Sequence, residues 1–137
     1  MRSAEIRSLL KGRTDMGLNT RLVHQLGLAL VKERLHLDSR ARRPSIDTEL
    51  LWSRDGASHK VVTRSVGSIT ESSNFEVFSN IDPDFLILVM VRRDTFRLLG
   101  MARIAWSMVE WLGKAHGTRW RLYWGENTPV RGVAEML

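Results

Sequence analysis

The sequence predicts an α/β or α+β domain with a single mixed β-sheet of about five strands, a long N-terminal helix and a later helix packed on the sheet. Residues 85–91 form an unbroken apolar run, which is typical of a strand buried on both faces. Leucines recur every fourth residue from Leu18 to Leu30, which indicates an amphipathic helix. Short β-branched runs between turn residues supply the other strands. The 137 residues are expected to form a single domain, 1–137.

The N-terminal part of the chain predicts two helices. The first covers Ser3 to Lys11, with Ser3 as its cap and a narrow apolar stripe on one side. The second runs from about Gly17 to Leu35. Gly27 lies in its middle and costs up to about 1 kcal/mol relative to alanine, unless a neighbour packs closely there.

A first hairpin follows a polar, basic connection over Asp38 to Pro44. Its predicted strands are Thr48 to Trp52 and His59 to Val66, joined by a turn at Arg54-Asp55-Gly56. The serine-rich span from Gly67 to Asn80 is expected to be a loop or lid.

A central hairpin between Asp84 and Ile104 organises the predicted fold. Its first strand is the apolar run, and Arg92-Arg93-Asp94 forms a tight polar turn. The second strand is interrupted by Arg97 and Arg103, so one of its faces is expected to reach solvent. The rest of the chain is expected to cover this hairpin.

The C-terminal part predicts a helix, a strand and a short last helix. After Ile104 the apolar spacing changes from two towards four, which predicts a helix ending near Gly113 or Gly117. A last short helix is predicted over Val130 to Leu137. The strand from Arg119 to Trp124 alternates, with Trp120, Leu122 and Trp124 predicted to face the core and Arg119, Arg121 and Tyr123 to face away from it.

Composition and motifs exclude several classes of protein. The chain has no cysteine, which excludes disulfide frameworks and thiolate metal sites. No two of its four histidines have helical metal-site spacing, so each is expected at a surface or capping position. A nucleophile elbow and a phosphate-cradling glycine loop are both missing from the sequence. The sequence begins without an apolar signal segment, and its apolar runs are too short to span a membrane, so a cytoplasmic protein is expected.

The charge balance points to an acidic partner. Lys and Arg number 21 against 15 Asp and Glu, a formal net charge of +6. Such a charge favours nucleic acid, with DNA as the expected partner, although plain solubility charge is the alternative. The residues predicted to bind phosphates are Arg40, Arg42, Arg43, Lys60 and Arg64. For the three arginines in the basic connection, a solvated loop is the alternative interpretation.

A second pattern is compatible with nuclease chemistry. A helix carrying Glu33 precedes a hairpin with Asp47 and Glu49 on its first half and Lys60 on its second. Carboxylate oxygens suit Mg²⁺, and phosphodiester cleavage needs a cation to activate water or stabilise developing charge. In this interpretation Glu49, Lys60 and Glu33 are catalytic and Glu49 binds the metal ion. The alternative is a surface pair of Glu49 and Lys60, worth less than about 1 kcal/mol.

From about Arg13 onward, the chain resembles a family of small uncharacterised bacterial proteins with the restriction-endonuclease-like, or PD-(D/E)XK, fold. The stretches that carry the resemblance are residues 13–17, 55–56, 59–64, 85–89, 93–100 and 104–109. The resemblance implies this fold and, in an active member, Mg²⁺ as cofactor. It also implies an acid in the first strand of the hairpin, either Glu49 or Asp47, and the sequence Gln-x-Lys before a basic residue in the second.

The catalytic motif of the family is incomplete in this chain. If Thr63-Arg64 is aligned with the family's basic residue, Val62 occupies the lysine position and Lys60 the glutamine position. If Lys60 is taken as the lysine, Ser58 occupies the earlier position. Neither register holds the full triad, so the resemblance implies a degenerate catalytic motif.

Three functions follow from these patterns. The preferred one is a nucleic-acid-binding protein with a restriction-endonuclease-like fold and lost or weakened nuclease activity. The second is an active Mg²⁺-dependent DNA nuclease. The third is a protein-interaction module, such as a homodimer that buries apolar surface on the Trp106 helix or the Trp120 strand.

Overall fold

The computed structural model describes residues 2–12, 16–39, 50–67, 73–77, 82–116, 119–125 and 135–137. Its helices are α1 (Ser3–Lys11), α2 (Met16–Leu35) and α3 (Val109–Leu112), and one 3-10 turn, Trp106–Met108, precedes α3. Its strands are β1 (Leu51–Trp52), β2 (Ser58–Val66), β3 (Ser73–Val77), β4 (Phe85–Arg92), β5 (Leu98–Ala105), β6 (Lys114–His116), β7 (Arg119–Trp124) and β8 (Glu135–Met136).

The strands form two sheets. The larger has the order β1-β2-β4-β5-β8, in which β2 and β4 are parallel and the other neighbours are antiparallel. The mixed sheet predicted from the sequence is therefore confirmed. The prediction of a single sheet is wrong, because β3, β7 and β6 form a separate three-stranded antiparallel sheet.

Strand β4 lies at the centre of the molecule, and both hairpins predicted from the sequence are present around it. Every residue from Leu86 to Val91 is fully buried, as the apolar run predicted. Alternate side chains enter two hydrophobic clusters. Ile87, Val89 and Val91 pack with α1 and α2, whereas Leu86, Leu88 and Met90 pack with β3, β7 and α3. The five-stranded sheet thus separates a helical layer from the second sheet.

Both N-terminal helices form where the sequence predicts them. The cap prediction is wrong, because Arg2 rather than Ser3 is the N-cap of α1. The Ser3 amide instead donates a hydrogen bond to Glu33 Oε1 at 3.1 Å, which joins α1 to α2. Gly27 allows close contact between α2 and β2, since a Cβ there would lie 1.7 Å from Thr63 Oγ1.

Three predicted segments differ in the structure. Ser73–Val77, within the predicted loop, is a strand because Phe75 and Val77 are buried and the segment pairs with β7. The end of the predicted last helix is strand β8, since Glu135–Met136 pairs with the edge of β5. The helix after Ile104 is reduced to a 3-10 turn and one α-helical turn, which ends at Gly113 as predicted.

No helix in the described parts of the chain is both long and apolar enough to cross a membrane.

Candidate functional site

A cleft of about 470 Å³ lies beside the carboxyl end of β2. Its walls come from α2, from the last part of β2 and from the loop that joins β4 to β5. Ligands of sheets with parallel strands bind outside the carboxyl ends of those strands, and β2 and β4 are parallel neighbours. The backbone amide of Arg93 extends this pairing, donating to the Val66 carbonyl at 2.9 Å.

The cleft combines cationic, hydroxyl and apolar groups. Among the described residues, its lining comprises Arg64 and Arg93, the hydroxyl residues Thr20, Thr63 and Ser65, and the apolar residues Val23 and Phe96. We refer to this set as the arginine cleft. Alternation along β2 places Thr63 and Ser65 on the helical side of the sheet and the Arg64 side chain on the opposite side, with Lys60 and Val62. Guanidinium and hydroxyl groups donate hydrogen bonds to phosphate oxygens, whereas the apolar residues can contact the flat face of a ring. The Thr63 hydroxyl is not available to a ligand, because its Oγ1 is buried against Gly27 of α2. The volume lies in the range of small-molecule sites.

The two arginines of the cleft are not neutralised by the described part of the protein. Arg64 is exposed on β2 and Arg93 is exposed in the β4–β5 loop. Among the described residues, no acidic side chain forms an ion pair with either of them. The neighbouring Arg92 differs, because its Nε lies 2.8 Å from Asp94 Oδ1. Arg93 also lines an adjoining hollow of about 300 Å³, together with Gly67, Arg92 and Asp94.

The β4–β5 loop places an aromatic ring in the cleft through an unusual backbone conformation. Phe96 has a φ of 56°, in the left-handed region that bulky residues rarely adopt. Its amide donates to the Arg92 carbonyl at 2.8 Å, and its carbonyl accepts a hydrogen bond from Arg7 Nε at 3.0 Å. The ring is partly buried against the helical-side cluster.

The structure does not bring the candidate catalytic residues Glu33 and Lys60 together. Lys60 lies on the face of β2 that also carries Val62 and Val66, which pack towards the second sheet. Glu33 lies on α2, on the other side of the five-stranded sheet. Hydrogen bonds from Ser3 lower the pKa of the Glu33 carboxyl, so this group already serves the contact between the two helices.

Four of the five other predicted site residues have no described position. Glu49, Arg40, Arg42 and Arg43 lie outside the described residues, so their predicted roles stay predictions. Arg64 is placed in the arginine cleft. Within the described ranges, no group of three or more His, Asp or Glu residues is arranged to hold a metal ion.

A buried histidine lies at the opposite end of β2. His59 is only 1% exposed, and among the described residues neither ring nitrogen has a hydrogen-bond partner. Its ring stacks on Phe85 with centroids 5.1 Å apart, and the Arg103 guanidinium lies 5.1 Å from the Phe85 ring centre. The prediction of a surface or capping position is therefore wrong for this histidine. Burial lowers the pKa of His59.

Arg64 was predicted from the sequence to bind phosphate, and that role stays a prediction; the other residues of the cleft were not predicted. The parallel pairing of β2 and β4 brings Arg93 and Phe96 near Arg64, and no local pattern specifies that pairing. One signal was available, because two adjacent arginines follow directly on a buried strand. Charged residues at that position lie at the edge of a sheet, where ligands commonly bind.

A scan against protein-family models found no match to this chain, and a search of curated proteins also found none.

Proposed function

We propose that this chain is a restriction-endonuclease-like domain that binds nucleic acid through phosphate contacts at the arginine cleft and has lost, or much weakened, its cleavage activity. The observation that carries the proposal is that Arg93 lines the cleft with no acidic partner among the described residues, at the carboxyl end of β2 where Arg64 is likewise exposed and without an ion pair in those residues. The excess of 21 basic over 15 acidic residues supports it, since it gives the chain an overall attraction for a polyanion.

The fold and the loss of activity are parts of the same proposal. The sequence resemblance supports the fold, and α2 followed by the β1–β2 hairpin is the element order that the resemblance requires. The incomplete motif supports the loss of cleavage. So does the separation of Glu33 from Lys60 by the five-stranded sheet, because residues on opposite faces cannot act on one phosphodiester.

Salt-dependent binding tests the proposal. Fluorescence anisotropy with a labelled DNA duplex would be measured from about 50 to 200 mM sodium chloride. We expect affinity to fall steeply as salt rises, because phosphate contacts release counterions. Arg93→Ala is expected to weaken binding and to reduce the slope of log Kd against log salt by about 1.

Arg54→Ala is the matched control, because Arg54 is also exposed but lies in the β1–β2 turn, at the other end of β2. It removes the same charge and should leave the slope nearly unchanged. An equal effect of Arg54→Ala and Arg93→Ala would reject the cleft as the binding site. Absence of binding even at low salt would reject the function. Incubation with magnesium, manganese or chelator should give no cleavage; cleavage that Glu49→Gln abolishes would instead establish an active nuclease.

A further inference from the structure

We infer that the arginine cleft takes an unpaired nucleotide of a single-stranded nucleic acid, with the base against Phe96 and the phosphate against Arg93. This inference rests on the proposed function and names the form of nucleic acid that the site would select. It comes from the composition of the cleft, in which an aromatic residue and an exposed arginine of the same loop both line the walls.

The aromatic ring is the part of the cleft that phosphate binding alone does not explain. Guanidinium and hydroxyl groups are sufficient to hold a phosphate. Phe96 and Val23 add an apolar wall, and contact between an apolar surface and a charged phosphate does not stabilise binding. Every nucleobase has a flat π-face that stacks on an aromatic side chain, whatever its sequence.

The backbone at Phe96 supports a role for the side chain. A φ of 56° suits glycine or asparagine, and a phenylalanine there is strained. Hydrogen bonds from Arg7 Nε to the Phe96 carbonyl and from the Phe96 amide to the Arg92 carbonyl hold the residue in place. The ring is only partly buried in the core, so its remaining surface is available in the cleft. Strained residues of this kind occur preferentially at functional sites.

The size of the cleft selects against a duplex. A volume of about 470 Å³ fits one small ligand rather than a double helix. In a duplex, each base is also covered on both faces by its neighbours and so cannot stack on a protein ring. A duplex can therefore reach the arginines only through its phosphates, whereas a single strand can use both walls of the cleft.

The test compares three labelled probes with the full chain in one low-salt buffer. The probes are a single strand, the duplex of the same sequence, and a single strand of equal length with abasic sugars. We expect the normal single strand to bind about 10-fold more tightly than the abasic strand, since one stacked base contributes at about this level. The duplex should bind like the abasic strand.

Two variants test whether the Phe96 ring causes the preference for the normal strand over the abasic strand. Phe96→Leu retains an apolar side chain but lacks the aromatic face, so it should abolish the preference for the normal strand and leave duplex binding unchanged. Phe75→Leu is the matched control, because Phe75 is a fully buried phenylalanine in the cluster on the second-sheet side. Circular dichroism would establish that both variants fold. If a variant does not fold, the comparison of the three probes with the unmodified protein still tests the inference.

The outcomes separate this inference from the proposed function. Equal, salt-sensitive binding of all three probes would overturn the inference and leave the phosphate-binding function standing. No binding of any probe would overturn both. Unlabelled adenosine monophosphate is a further competitor, and complete displacement at an equal nucleotide concentration would assign the cleft to free nucleotides rather than to a single strand.

Discussion

At the scale of single residues, His59 shows how burial changes the protonation of a polar side chain. It occupies the face of β2 that packs under the helices, with its ring stacked on Phe85. Burial is the main cause of its lowered pKa, and the positive charge of Arg103 acts in the same direction. Folding therefore favours the neutral form of this histidine over the protonated form.

This environment makes stability depend on pH. In the unfolded chain His59 titrates near 6.5, whereas the folded chain takes up its proton only at a lower pH. The contribution of neutral His59 to the free energy of unfolding is complete above about pH 6.5. It is lost as the pH falls below this value, because the unfolded chain then binds a proton that the folded chain does not. We expect the free energy of unfolding to fall by up to about 1.4 kcal/mol per pH unit in this range.

Urea unfolding at several pH values between about 8 and 5 measures this dependence. His59→Phe should flatten it, because phenylalanine can stack in the same place without titrating. His36→Gln is the control, since His36 is exposed, and it should leave the dependence unchanged. If the His59→Phe protein shows the same slope as the unmodified protein, the effect belongs to other groups.

At the scale of elements, the contact between α2 and β2 depends on Gly27. A methyl group at this position would lie 1.7 Å from Thr63 Oγ1 and 2.8 Å from Thr63 Cβ. The glycine costs helix propensity, and the close approach of helix and sheet offsets that cost. The sequence left open whether a neighbour packs closely at Gly27, and in the structure Thr63 is such a neighbour.

Gly27→Ala is expected to destabilise the protein by about 1–3 kcal/mol, because the added methyl group forces α2 away from the sheet. Chemical denaturation measures the change. The double variant Gly27→Ala, Thr63→Ala should recover part of the loss, since it removes the two Thr63 atoms beyond Cβ. Gly12→Ala is the control, because a Cβ there meets only the Leu9 carbonyl at 3.9 Å. A stabilising effect of Gly27→Ala would contradict the close contact.

The elements that sequence reasoning missed are the ones that depend on distant pairing. In β3, Phe75 and Val77 alternate with Glu76, but three residues of pattern within a serine-rich span are too weak a signal. Glu135–Met136 has no local strand signal, and it pairs because the edge of β5 is available to it. Helices α1 and α2 and strands β2, β4 and β7 were predicted because their apolar periodicity is long or unbroken.

At the scale of the whole molecule, the sequence indicated the mixed sheet but not the second layer of strands. Alternation in β7 correctly predicted that Leu122 and Trp124 face the core, yet alternation cannot specify which sheet a strand joins. The arginine cleft could not be predicted for the same reason. Its arginines come from β2 and from the loop after β4, which meet only because these strands are parallel neighbours.

The central position of β4 predicts how the molecule unfolds. The strand contributes alternate side chains to both hydrophobic clusters, so loss of either cluster exposes one face of β4. The two layers should therefore unfold in one cooperative transition. Leu26→Ala on the helical side and Leu122→Ala on the second-sheet side are each expected to cost about 2–5 kcal/mol, because both side chains are fully buried.

Two spectroscopic signals, measured in the same urea titration, report on the unfolding of the two layers. Far-ultraviolet circular dichroism follows α1 and α2. Tryptophan fluorescence follows mainly the other side, because three of the five tryptophans, Trp106, Trp120 and Trp124, pack in the second cluster, whereas Trp52 is buried in β1 and Trp111 is exposed. The two curves should coincide in the unmodified protein and shift together in both variants. Leu9→Ala, at a 39% exposed position on α1, should shift them little. Separation of the curves in Leu122→Ala, with fluorescence lost first, would mean that the second sheet unfolds independently and that β4 does not couple the two cores.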